Sequence, residues 1–259
     1  MSDMLSAELI MDGLDTRLIG RRILYYPRVT STNEMAKKEA GRGIDEGAVV
    51  VAGEQTAGRG RLKRSWLTPE GNIALSVILY PEKPVLPSLI MMASLAVSRS
   101  IEAVTGLETQ IKWPNDVLIT GRKVCGILIE SDIRNGRVNY AVIGIGININ
   151  AGKDVLLEVQ SPATSLNLEA GKEVSRLGVI RELIKAMDNL YSTITPGGPV
   201  FSEWRERLVT LGKEVRVTSA EGVIEGVAES VDTDGSLLVR SHDGSLNRVV
   251  AGDVTLRRE

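Results

Sequence analysis

Runs of β-branched and aromatic residues, each bounded by glycine or proline, recur through the first half of the chain: ILYYPRV at 23–29, GAVVVAGE at 47–54, NIALSVILY at 72–80 and TQIKW at 109–113. Each predicts a strand, because such side chains fit a pleated, half-buried surface and the bounding residues break it. KVCGILIES and VNYAVIGIGINI extend the pattern, and the Asn135-Gly136 pair between them has the chemistry of a tight turn, so these two segments are predicted to pair antiparallel. Helical patterns fall between the strands. Ser31-Thr32-Asn33-Glu34 fits a capping box that opens a helix to about Ala40, where Gly41-Arg42-Gly43 ends it. Pro87 precedes a helix over 88–105 that is apolar enough for burial on more than one side. A third is predicted over 175–192, and PVFSEWRERLV makes a short fourth after the TPGGP breaker.

The period changes after Leu211. EVRVTS, GVIEGVAESVD, GSLLVRS and SLNRVVAGDVTL are short alternating strands separated by Glu221-Gly222, Asp234-Gly235 and Asp243-Gly244 turns, which predicts a small barrel. The expected organisation is a larger domain over residues 1–210, mixing strands and helices, and an all-β domain over 211–259.

Composition narrows the function classes. At 259 residues, 43% of them hydrophobic, the chain can bury a large core. A formal net charge of −2 argues against a general nucleic-acid binder, and residues 211–259 carry six Lys/Arg against nine Asp/Glu, so the small domain is not a basic module. No run approaches the roughly 18 consecutive apolar residues of a membrane helix, and the first twenty residues carry acids where a signal peptide needs cations, so a cytoplasmic protein with no membrane contact is expected. The single cysteine, Cys125, excludes an internal disulfide, and the single histidine, His242, leaves too few soft ligands for zinc and speaks against Ser-His and Cys-His catalysis.

Four stretches carry candidate chemistry. GEQTAGRGRLKRSW connects two predicted strands; Gly58 and Gly60 free the backbone, while Arg59, Arg61 and Arg64 supply forked donors that match a carboxylate or phosphate. An anion clamp, a solvated hairpin tip and a nucleic-acid contact through GRGRLKR are all open for it in isolation. In KWPND, Pro114 ends regular pairing and leaves Asn115 and Asp116 at a strand end, either as ligands for a magnesium–nucleotide complex or as an Asx-turn. Lys123 follows at the start of an apolar strand. GIGININ fails the dinucleotide fingerprint, and its glycines suit either packing or the close passage of a bound ring, with Asn148 as polar contact. VTSTNE ends a strand and opens a helix, offering free amides and the Ser31 and Thr32 hydroxyls to a polar ring or an anion.

The joint order S-T-N, Q-x-A-G-R-G-R-x-x-R-x-W, K-W-P-N-D, K-x-x-G and G-I-G-I-N resembles the biotin protein ligase family, over residues 23–168 and on into the LGKEVRV…DGSLLV…AGDVTL tail. The resemblance implies an α+β fold: a mixed sheet flanked by helices, of the class II synthetase and biotin–lipoate ligase type, with a C-terminal SH3-like barrel. It implies ATP, biotin and magnesium, and a biotin carboxyl carrier protein as acceptor. Ser31, Thr32, Asn33 and Gln55 would then contact biotin, with Gly58, Gly60 and Gly126 beside it. Arg59, Arg61 and Lys123 would meet its carboxylate, with Lys123 and Arg59 catalytic. Arg59, Arg61, Arg64, Trp66, Lys112, Asn115 and Asn148 would reach the nucleotide, and Asp116 the metal.

Some features depart from the family pattern. Lys63 stands where the family has glycine, and no tryptophan follows Asn148 of the kind that stacks on adenine in some members. The residues before the first strand, about 22 of them, are too few for the winged helix of bifunctional members, so no DNA binding is expected. A homodimer is compatible with the resemblance. A lipoate ligase of the same superfamily is the alternative within that chemistry, and the R-G-R-x-x-R-x-W loop with the barrel favours biotin.

Overall fold

The predicted strands form and pair largely as their periodicity requires. In the computed structural model, which describes residues 4–66, 68–157, 162–219 and 222–256, β1 (Ile23–Val29), β2 (Val49–Gln55), β3 (Ile73–Leu79), β4 (Gln110–Lys112), β5 (Asp116–Ile119), β6 (Arg122–Arg134) and β7 (Arg137–Ile147) make a seven-stranded sheet in the order β1-β2-β3-β7-β6-β5-β4. Only β1 and β2 run parallel. A parallel pair needs a crossover, and α2 (Thr32–Ala40) supplies it. The β6–β7 hairpin turns where expected, with Asn135 and Gly136 both at positive φ (50° and 75°), as a type I′ turn demands.

Alternation decides what each sheet face does. Val49, Val51, Leu75, Val77, Ile127, Ile143 and Ile145 point into the main core. That core is closed by α3 (Ser88–Thr105), α6 (Arg176–Tyr191) and α7 (Pro199–Glu206), with the short α1 (Ala7–Met11), α4 (Lys153–Leu157) and α5 (Leu166–Ala170) outside the predicted set. By length and composition α3 is apolar enough to cross a membrane, though Arg99 and Glu102 interrupt its apolar run, and 67% of that stretch is buried inside the fold. On the opposite face Val50, Ile78 and Val142 pack beneath Ala36 and Ala40 of α2. Two residues further along those strands, on this same face, the apolar pattern gives way to Ala52, Ser76 and Gly144.

The capping box is corrected by the structure. Ser31 is the N-cap but its side chain makes no capping bond, and Glu34 turns to Lys37 Nζ at 2.7 Å rather than to the cap amide. Thr32 N, the first free amide, is taken by Gln55 Oε1 at 2.8 Å, a partner from another strand that sequence-local reasoning does not see.

The C-terminal segment forms β8 (Glu214–Ser219), β9 (Gly222–Val231), β10 (Leu237–Ser241), β11 (Leu246–Val249) and β12 (Asp253–Leu256), antiparallel in the order β11-β10-β9-β8-β12. First and last strands pair, as in an SH3-like barrel. SLNRVVAGDVTL is thus two strands rather than one, and residue 221 of the expected Glu221-Gly222 turn lies outside the described residues. The two regions share a core. Trp113 Nε1 donates to Gly235 O at 2.8 Å, Trp113 N to Thr210 Oγ1 at 2.9 Å, and Val215, Val217 and Leu237 join the apolar cluster under α3 and α7.

Candidate active site

The parallel β1–α2–β2 unit brings two chain segments to one place. Val29 and Gln55 are register partners at the strand exits, so the start of α2 and the loop after β2 emerge side by side. The loop is a hairpin of its own: Gln55 bridges Thr68, Arg59 bridges Ser65, and Trp66 N donates to Gly58 O at 2.9 Å. Its tip, Arg61–Lys63, turns through Leu62 in the left-handed region at φ 53°, an exposed position a glycine would adopt without strain. The Lys63 side chain lies outside the described set.

This hairpin folds over the glycine stretch of the sheet. Gly126 and Gly146 are register partners on β6 and β7, and the Trp66 indole lies across both. A Cβ on Gly126 would come within 2.9 Å of the indole, and one on Gly144 within 2.1 Å of Asn33 Oδ1. Beside the indole a narrow cleft opens, lined by Ser31, Thr32, Asn33 and Gln55 at one end, Ile127, Leu128 and Ile145 along its length, and Arg59, Trp66 and the three glycines. The sequence-predicted Ser31, Thr32, Asn33, Gln55, Arg59, Trp66 and Gly126 therefore converge. Gly58 packs on Trp66 and Gln55 just behind, and Gly60 lies in the hairpin.

Cations gather at the other end. Lys123 Nζ stands 5.4 Å from the Trp66 ring centroid and 2.6 Å from Asp116 Oδ1, a charge contact without the alignment of a hydrogen bond. Its backbone is fixed by the PATS segment, since Lys123 N donates to Pro162 O and Thr164 N to Lys123 O, both at 2.9 Å. Arg61 Nη1 donates to Asn115 Oδ1 at 3.1 Å, and Asn115 Nδ2 to Ile127 O at 2.8 Å. Burial lowers Lys112 and Arg61 from their ordinary values against the opposing charges of Asp116 and Asp253. These are cations short of solvation, which an arriving anion would relieve.

Other predicted residues have occupations of their own. Arg64 forms an ion pair with Asp253 of β12, tying the hairpin to the barrel. Asn148 is buried and its amide donates to Thr164 O at 3.1 Å, so it holds the PATS segment that positions Lys123. Asp116, the residue expected at the metal, has its Oδ1 2.6 Å from Lys123 Nζ, and the neighbouring Asn115 oxygen accepts from Arg61. Sequence reasoning missed Ser76, Thr68 and Glu130. Ser76 and Glu130 are polar residues in the site-facing phase of apolar strands, and that phase was the available signal.

The fold and this divided cleft define an acyl-activating ligase architecture, a mixed sheet with a C-terminal SH3-like barrel. Residues 25–148 match the Biotin/lipoate A/B protein ligase family and residues 210–257 the Biotin protein ligase C terminal domain. The chain is 37% identical to the bifunctional ligase/repressor BirA of Bacillus spizizenii, over 97% of this chain and 79% of that protein. It is 33% identical to the biotin–[acetyl-CoA-carboxylase] ligase of Paracoccus denitrificans, over 84% of this chain and 93% of that one. The structure of the Aquifex aeolicus biotin protein ligase in complex with biotin and ATP superposes with a TM-score of 0.74 at 28% identity, covering 92% of this chain and all of that one. The chain belongs to the biotin protein ligase family.

Proposed function

We propose that this chain activates biotin with ATP to biotinyl-5′-adenylate and transfers the biotinyl group to a lysine of a biotin carboxyl carrier protein. What carries this is a cleft with a neutral polar end (Ser31, Thr32, Gln55) and an apolar middle on a glycine floor, beside which Lys123 stands against the Trp66 face and Asp116. Biotin has the matching sequence of parts: a urea, a thioether ring and alkyl chain, and a carboxylate.

In the first step a carboxylate oxygen attacks the α-phosphorus of ATP, the bond to the β-phosphate oxygen breaks, and pyrophosphate leaves. Two anions must approach, so fixed cations lower the barrier by meeting charge that concentrates as they close. Lys123, held by Asp116 and the PATS segment, is suited to sit at the junction of carboxylate and phosphate. Arg61, bonded to Asn115, offers a second cation from the hairpin, while Arg59 lines the cleft with its guanidinium 3.5 Å from Glu34 Oε1. Magnesium enters with the nucleotide phosphates as part of the substrate. In the second step a lysine amine of the carrier attacks the acyl carbon, AMP leaves, and an amide forms. Neither step needs a nucleophile from this chain, which accords with its single, fully buried cysteine.

The test is to incubate the protein with ATP, magnesium and either biotin or lipoate and to identify the acyl-adenylate by mass spectrometry. Biotinyl-adenylate is expected; lipoyl-adenylate alone would overturn the assignment.

A further inference from the structure

A chain of hydrogen bonds runs beneath the polar end of the cleft, and a carboxylate fixes its direction. Glu130 Oε1 accepts from Lys37 Nζ at 2.9 Å and Oε2 from Asn33 Nδ2 at 2.8 Å. An ionised carboxylate only accepts, so the Asn33 amide must turn its nitrogen to Glu130 and its oxygen to Ser76. Ser76 Oγ, fully buried 2.6 Å from Asn33 Oδ1, then has to place its one proton there. With that proton committed, Ser76 can meet the Thr32 hydroxyl, 2.8 Å away, only as an acceptor, so the single Thr32 proton goes either to Ser76 Oγ or to Gln55 Oε1. Thr32 N already donates to Gln55 Oε1 at 2.8 Å, and Gln55 Nε2 donates to Thr68 Oγ1 at 3.0 Å, so the Gln55 amide is oriented too. Thr32 Oγ1 lies 3.1 Å from Gln55 Oε1 and can donate to it; when the Thr32 proton is drawn to Ser76 instead, both oxygens become acceptors at the cleft, a spacing that an N–H from a ligand bridges.

We propose that Glu130, which does not line the cleft, is a positioning residue that fixes the hydrogen-bond polarity of the site and so selects a ligand presenting a ring N–H at its polar end. Burial alone would raise its carboxyl, but the bonds from Asn33 and Lys37 and the charges of Lys37 and Arg59 hold it below its ordinary value, so it is an acceptor at neutral pH. Its position follows from register: Glu130 pairs Val142 on β7 and faces the side of the sheet on which α2 lies. The inference rests on the biotin reading and adds the origin of the discrimination.

Glu130→Gln keeps the shape and supplies an N–H that can turn Asn33 over, reversing every bond as far as Thr32. The probes are biotin and its ring analogue with oxygen in place of both urea N–H groups, with binding measured by calorimetry on the full chain. Wild type is expected to prefer biotin by at least about a hundredfold, and Glu130→Gln to narrow that preference at least about tenfold. Glu130→Asp should recover the preference in part, a rescue that a merely structural loss would not show. An unchanged preference in Glu130→Gln overturns the proposal. Should that variant not fold, Ser76→Ala breaks the same chain one link on and must show the same narrowing; an unchanged preference there overturns it equally. Wild type that fails to bind biotin would overturn the ligase reading itself, and the proposal with it.

Discussion

The Trp66 indole lies so close over Gly146 that a Cβ on that glycine would sit 2.2 Å from Nε1. The hairpin is thus seated on the sheet through an aromatic ring and a missing side chain. Gly146→Ala should lift Trp66 and, with it, the hairpin that closes the cleft. The expected outcome is a rise of about tenfold or more in KM for biotin with secondary structure unchanged by circular dichroism. An unaltered KM would show that the ring and the glycine are not coupled.

Lys123 sits between Asp116 and the Trp66 face, braced both electrostatically and by a paired backbone. Lys123→Ala should slow biotin-dependent ATP–pyrophosphate exchange by at least about a hundredfold, on the order of 3 kcal/mol of transition-state stabilisation. Exchange at the wild-type rate would remove it from the chemistry.

Arg61 and Asn115 act as one unit, since the Asn115 oxygen orients the guanidinium from across the cleft. Arg61→Gly should loosen retention of the acyl-adenylate, read as biotin appearing on bystander lysines of an added protein. Asn115→Ala should give the same phenotype more weakly, and the double variant should resemble Arg61→Gly alone rather than add to it. Additive effects would mean that the two residues work independently.

The strand pattern, the hairpin at Asn135-Gly136, the helices and the change of period after residue 211 were legible because each follows from local alternation and turn chemistry. The residues that converge on the cleft were legible as motifs. Their partners were not. Glu130 lies 97 residues from Asn33 and Ser76 43 residues from it, and only strand order brings them together. The capping box failed for a related reason: Gln55, 23 residues on, takes the amide that a local pattern assigns elsewhere. Arg64 carried the same charge signal as Arg59 and Arg61, and nothing local could separate it from them; its partner Asp253 is near the far end of the chain.

Glu130 also makes stability depend on pH. Its folded-state pKa lies below the ordinary value, so its contribution is fully present above the unfolded carboxylate pKa of about 4.3 and is lost as pH falls through the folded value. Thermal denaturation between neutral pH and about pH 3 should therefore show Glu130→Gln less stable than wild type at neutral pH, with the gap closing in acid. A gap that widened in acid would give the shift the opposite sign.

Asp188 on α6 accepts from the backbone amides of Arg17, Leu18 and Ile19 at 2.8, 2.9 and 2.8 Å, pinning the segment that leads into β1. Asp188→Ala strands these donors where water reaches poorly. A loss on the order of 3 kcal/mol is expected in chemical denaturation, with kcat unaffected below the melting range. A matching fall in kcat would place Asp188 in communication with the cleft.

The two faces of β3, β6 and β7 have a consequence for folding as well as for binding. Slipping any of these strands by one residue would send Ser76, Glu130 or the glycines into the main core and turn Leu75, Ile129 or Ile145 outward. A misregistered sheet would then bury a carboxylate without its lysine and leave voids where isoleucines belong. The polar groups on the cleft side of the sheet therefore double as a proofreading device for strand alignment. A chain that has assembled a working cleft has, by the same geometry, confirmed that its sheet is correctly threaded.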